Sequence, residues 1–110
     1  MEAKEFQMWV NQYYKGRNWS EFDIFTRIGF LAEETGEVAR AIRAMEIGRD
    51  HPEEMEKQRV IYEQELTEEL GDVLGNVMAI ANHYDISVEA IFSAHVSKLK
   101  NRYQKEKIGE

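Results

Sequence analysis

The sequence contains no cysteine, which excludes a disulfide frame and any thiolate metal site. One proline and seven glycines in 110 residues are too few for a loop-rich or low-complexity chain. No apolar run approaches the ~18 residues that a membrane span requires. The opening stretch MEAKEFQMWV lacks the basic region and apolar core of a signal peptide. These absences lead to the expectation of a soluble, cytoplasmic protein with no membrane partner. Positive charge is also scarce: 14 Lys and Arg stand against 21 Asp and Glu, for a net charge of −7. Binding to a nucleic-acid polymer depends on lysine and arginine replacing counterions, so no such partner is expected. A small anionic ligand stays open if something positive bridges it to the protein.

What the chain does have is apolar content and helical periodicity. The hydrophobic fraction of 43% fits a folded core, and the length fits a single domain over residues 1–110. Phe6, Trp9, Val10, Tyr13 and Tyr14 sit at helical spacing in a first segment of about residues 2–15. Ser20 followed by Asp23 resembles a capped start for a second helix of about 21–47. Its apolar row is Phe25, Ile28, Leu31, Thr35, Val38, Ile42 and Met45. Gly48, Asp50 and Pro52 punctuate the break before a third helix of about 53–83, with the row Leu66, Leu70, Val73, Val77, Ile80 and Tyr84. After a turn at Asp85 and Ser87, a fourth helix of about 88–105 carries Val88, Ile91, Phe92, Val96, Leu99 and Tyr103. No stretch alternates like a half-buried strand. The expected class is all-α: a four-helix, bundle-like fold with antiparallel neighbours.

Two short strings carry the chemistry. Residues 33–37 read EETGE, and residues 68–72 read EELGD. Positions three or four apart share a helix face. Phe30, Glu34, Glu37 and Ala41 therefore form one row, and Glu69, Asp72, Asn76, Ala79 and His83 another. Each row borders an apolar stripe, so each helix offers a carboxylate pair at the rim of the core. Side by side, the two helices bring four carboxylates together. Their mutual repulsion is relieved by protons or by a cation, and hard divalent ions prefer oxygen ligands. The pattern points to a magnesium site open to a phosphate-bearing ligand. Glu33 and Glu68 are then either solvated members of each cluster or groups that orient the ligands. Di-iron bundles use Glu-x-x-His, but Gly48, Ile80 and Phe92 precede His51, His83 and His95 by three. No histidine spacing suits zinc.

EETGE, a gap of about thirty residues and EELGD, flanked by FLAEETGEVARAI and LTEELGDVLGNVMAIA, resemble the EExxE…EExxD signature of the MazG-like all-α nucleoside triphosphate pyrophosphohydrolases. The segment SKLKNRY at residues 97–103 is similar to the family's basic element on the last helix. The likeness covers about Trp19 to Tyr103. It implies a MazG fold and hydrolysis of a nucleoside triphosphate to the monophosphate and pyrophosphate, in a house-cleaning role against non-standard or excess nucleotides. It implies Mg2+, with Mn2+ as a substitute, held by Glu34, Glu37, Glu69 and Asp72. Glu33 or Glu68 would accept the proton of the attacking water. Lys98 and Arg102, four apart on one face, would reach phosphate oxygens. The alternative for those two cations is that they complement the helix dipole. Asn76 would contact the sugar or a bound water, or serve as an ordinary rim amide. An aromatic such as Trp19 would stack on the base. The resemblance also implies a homodimer or homotetramer.

Two alternatives stand beside this reading. One is phosphoribosyl-ATP pyrophosphohydrolase, which uses similar ligands on a related fold. The other is a non-catalytic helical interaction module whose acids are solvated.

Overall fold

The computed structural model describes residues 1–48 and 56–104. Among them are four α-helices and no strand: α1 (Ala3–Gly16), α2 (Ile24–Ile47), α3 (Arg59–His83) and α4 (Val88–Tyr103). A single 3-10 turn spans Trp19–Glu21. None of these helices is long and apolar enough to cross a membrane. The described residues fall into two compact units. One comprises Met1–Ser20 with the chain from Met78 onward, and the other comprises Glu21–Val77.

In the first unit α1 packs against α4. Gln7 is the polar tie. Its Nε2 donates to the Ile86 carbonyl at 2.8 Å, and its Oε1 accepts from the Val88 N–H at 2.8 Å. Val88 opens α4, so that N–H is one of the first-turn donors a helix leaves without an internal partner. Ser87 caps the same turn by accepting from Ala90 N–H. The preceding turn places Asp85 at φ 55°, a left-handed conformation that a short polar residue tolerates, and Ile86 N–H closes it onto the Ala81 carbonyl. Val10 and Val88 are the most deeply buried side chains here.

In the second unit α2 and the first three-quarters of α3 run antiparallel. Arg27 meets Asn76 near the start of α2, and Ala41 and Ala44 face Tyr62 across a cavity near its end. The cap of α2 is Asp23, whose carboxylate accepts from Thr26 N–H at 2.8 Å. That bond holds the Asp23 pKa below its ordinary value. The helix therefore starts at Ile24, three residues later than Ser20 as a cap would place it, and Ser20 lies in the 3-10 turn. Gly48 ends the helix at φ 91°, where a side chain is disfavoured. A Cβ there would also come within 2.7 Å of the Glu56 carboxylate.

The third helix begins at Arg59 rather than near 53. Residues 56–58 are not helical, because the Gln58 carbonyl takes the N–H of Ile61 and Tyr62 while Lys57 N–H bonds the Tyr62 hydroxyl. The expected cap Asp50, Pro52, His51 and positions 53–55 lie outside the described residues, as does position 105 at the expected end of α4.

The apolar rows read from the sequence are only partly core. Phe25 is 80% exposed, Tyr84 55% and Phe92 55%. Ile28, Ile42, Leu70, Val96, Leu99 and Tyr103 are exposed as well. Single exposed apolar side chains are ordinary. Four on one α4 row, Phe92, Val96, Leu99 and Tyr103, are an uncovered face.

Replacing Gln7 with leucine leaves the Val88 N–H and the Ile86 carbonyl without partners. Urea unfolding is expected to show a loss of about 1–3 kcal/mol. A loss within about 0.5 kcal/mol, the ordinary surface range, would show that Gln7 does not hold α1 to the start of α4.

Candidate metal centre

The antiparallel pairing of α2 and α3 decides which acids meet. Glu34, Glu69 and Asp72 each offer a carboxylate oxygen, and those oxygens all lie within 4.8 Å of one another. Glu34 and Glu69 are half-buried and Asp72 is exposed, so the cluster sits at the rim of the helix pair. Partial burial, then the charges of Asp72 and Glu69, hold the Glu34 carboxyl above the ordinary glutamate pKa. Burial, then the charges of Asp72 and Glu37, do the same for Glu69. The folded chain thus spends free energy keeping like charges together. An all-oxygen donor set with excess negative charge suits a hard divalent cation such as Mg2+.

Glu37 does not join the three converging oxygens. It stands one turn along α2, with its carboxylate 3.9 Å from Arg40. Its charge still bears on Glu34 and Glu69. Glu33 and Glu68 are exposed neighbours of the cluster, and the Glu68 charge contributes to the raised pKa of Glu69.

Asn76 is buried. Its Oδ1 accepts from Arg27 Nη1 at 2.9 Å, and its Nδ2 donates to the Asp72 carbonyl at 2.9 Å. Both ends of the amide are engaged within the protein, tying α2 to α3 one turn from Asp72. The Arg27 guanidinium is buried too, and lies over the rings of Phe22 and Phe30 at 5.9 and 5.4 Å from their centroids. An arginine in the first turn of a helix reads as a surface residue, so the sequence hid this contact. Its signal was the flanking of Arg27 by Phe22 and Phe30.

The remaining predicted residues belong to the first unit. Lys98 and Arg102 are exposed on α4, Arg102 in its last turn. Trp19 is half-buried and meets Tyr13 and Tyr14 edge-on, with Arg17 over its ring at 5.1 Å. His83 stands edge-on to Tyr84.

A cavity of about 260 Å³ shares Glu69 with the carboxylate cluster and also reaches Glu37. Arg40, Arg43, Lys57 and Tyr62 line it. The sequence reading passed over these residues. The available signal was Ala41 and Ala44, small residues on the same stretch of α2 as the two arginines.

The raised pKa values set a pH dependence. The folded state binds the Glu34 and Glu69 protons more tightly than the unfolded chain. Their contribution to stability is therefore fully present below the unfolded value and lost as pH rises through the folded value. In EDTA, the Tm is expected to fall as pH rises from about 4.5 towards neutrality. Glu34→Gln should flatten that fall, and Mg2+ at neutral pH should reverse it in the wild type. A metal-free Tm that the substitution leaves unchanged at every pH would contradict the repulsion.

Residues 23–106 match the MazG nucleotide pyrophosphohydrolase domain. The chain is also 46% identical over 104 residues to the uncharacterized protein YvdC of Bacillus subtilis (strain 168), covering 94% of this chain and 98% of that protein. No solved structure matches. The domain match spans both acidic strings and all three converging carboxylates, and on that evidence the chain belongs to the MazG nucleotide pyrophosphohydrolase family.

Proposed function

We propose that the protein is a Mg2+-dependent hydrolase that converts a nucleoside triphosphate and water to the monophosphate and pyrophosphate, clearing non-standard or excess nucleotides. The observation that carries this reading is the convergence of Glu34, Glu69 and Asp72 from two helices inside a MazG domain. Glu34, Glu69 and Asp72 would hold the ion, and Glu37 would complete the set by leaving Arg40. When bound, a divalent ion neutralises the polyphosphate and lowers the pKa of a coordinated water. Glu33, exposed beside Glu34, would take the proton of the attacking water, with Glu68 the other candidate. Lys98 and Arg102 would bind phosphate oxygens, for which an arginine fork is well shaped, and Trp19 would offer a face to the base.

Self-association as a homodimer or homotetramer belongs to the same proposal. The uncovered row Phe92, Val96, Leu99 and Tyr103, with Phe25 and Ile28 on α2, supports it, since monomers rarely leave such faces bare.

Incubation with a nucleotide panel and Mg2+ is expected to release pyrophosphate, and EDTA should abolish the release. Asp72→Asn and Glu34→Gln should each cut turnover about a hundredfold or more while the variants stay folded. Turnover confined to phosphoribosyl-ATP would replace the substrate class. No turnover and no Mg2+-dependent rise in Tm would leave an interaction module. For assembly, sedimentation of Val96→Lys should show a smaller species than the wild type; identical sedimentation would clear α4 of that role.

A further inference from the structure

Contacts across the α2–α3 pair recur in steps of seven. Arg27 bonds Asn76, the Glu34 and Glu69 carboxylates converge, and Ala41 and Tyr62 line one cavity. Each pair lies seven residues further along α2 and seven residues back along α3. Seven residues make nearly two helical turns, so the three pairs share one antiparallel seam with a heptad period. Between them, Leu31 and Val38 on α2 and Leu66 and Val73 on α3 are half-buried.

The layers of this seam differ in how well they fix its register. Leu31, Val38, Leu66 and Val73 are all aliphatic, and aliphatic side chains of similar volume exchange at little cost. A shift of one helix along the other leaves such layers packed. The Glu34–Glu69 layer opposes its own register, because like charges part when the helices slide. Ala41 is small and leaves a cavity beside Tyr62 rather than an interlock. The Arg27–Asn76 layer is the exception. Both residues are buried, at 8% and 7% exposure, and the bond between them is 2.9 Å. Sliding breaks that bond inside the helix interface, where the desolvation of a guanidinium and an amide is costly. A single polar layer in a helical seam specifies register at a cost in stability. Both partners are also oriented locally: Asn76 Nδ2 donates to the Asp72 carbonyl at 2.9 Å, and the Arg27 guanidinium lies over the Phe22 and Phe30 rings.

We infer that Arg27 and Asn76 are positioning residues for the carboxylate centre: their bond selects the α2–α3 register in which Glu34 stands opposite Glu69. They act through the helices, Asn76 one turn from Asp72 and Arg27 about two turns from Glu34. The consequence for ion binding rests on the proposed metal centre; the register does not.

The test replaces the layer with an apolar one, Arg27→Leu with Asn76→Leu, in the full chain. Apolar replacement of a buried polar pair is often neutral or stabilising, so circular dichroism and Tm are expected to show a folded chain. Arg27→Met with Asn76→Ala carries the same test if the leucine pair does not fold. The chain has no cysteine, so spin labels attach only at Ala32→Cys and Gln64→Cys, exposed positions of α2 and α3. Labelled chains diluted in unlabelled protein report the separation within one copy by pulsed electron resonance, without metal. With the polar layer intact, one narrow distance is expected. The apolar layer should broaden it or shift it by about 5 Å, one helical turn. Mn2+ affinity, read by calorimetry, should fall about tenfold or more in a chain that stays folded. An unchanged, narrow distance in the folded apolar variant overturns the register role. A changed distance with Mn2+ affinity intact overturns the positioning of the acids. A wild type that binds no Mn2+ sinks the metal centre, while the distances still uphold or overturn the register.

Discussion

Like-charge repulsion at the α2–α3 rim is the constraint from which the rest follows. A folded chain that draws Glu34, Glu69 and Asp72 together stabilises the protonated forms of Glu34 and Glu69, through partial burial and then through the neighbouring charges. Near neutral pH that arrangement costs stability unless a cation offsets it. The two helices therefore need ties that do not depend on the acids. The buried Arg27–Asn76 bond, with Asn76 also on the Asp72 carbonyl, is one. It places a neutral amide and a guanidinium between the aromatic start of α2 and the acid rim, and holds Asp72 in register with Glu34.

Much of this was legible because helical spacing is rigid. Among the described residues, four helices and no strand agree with apolar residues three and four apart, and i, i+3 geometry puts Glu69 and Asp72 on one face, while it is helix packing that brings Glu34 to them. Spacing alone did not separate Glu37 from the converging three. Spacing leaves the direction of a long side chain open, and the Glu37 carboxylate lies 3.9 Å from Arg40. The start of α2 was misread because Ser20 and Asp23 are both good caps, and it is Asp23 that accepts from the N–H three residues on, that of Thr26. The start of α3 was misread because a run rich in Glu and Lys has helix propensity throughout, whereas the Tyr62 hydroxyl and the Gln58 carbonyl anchor the first turn later.

The apolar rows teach a different lesson. Periodicity reports that a face seeks burial, and does not say against what. Val10 and Val88 found their partners within the chain, while Phe25, Phe92 and Val96 did not. Asn76 and Arg27 show the converse, polar residues buried because each satisfies the other. Periodicity cannot register such a pair, since neither member is apolar. The same holds for the cavity at Arg40, Arg43 and Lys57, which depends on what the two alanines of α2 leave empty.

The central claim is that the three carboxylates hold a divalent ion. Anomalous diffraction from crystals grown with Mn2+ tests it most directly. The account predicts a peak within about 2.0–2.3 Å of oxygens from Glu34, Glu69 and Asp72. Ordered, ion-free carboxylates at that rim, with manganese bound elsewhere or not at all, would contradict it.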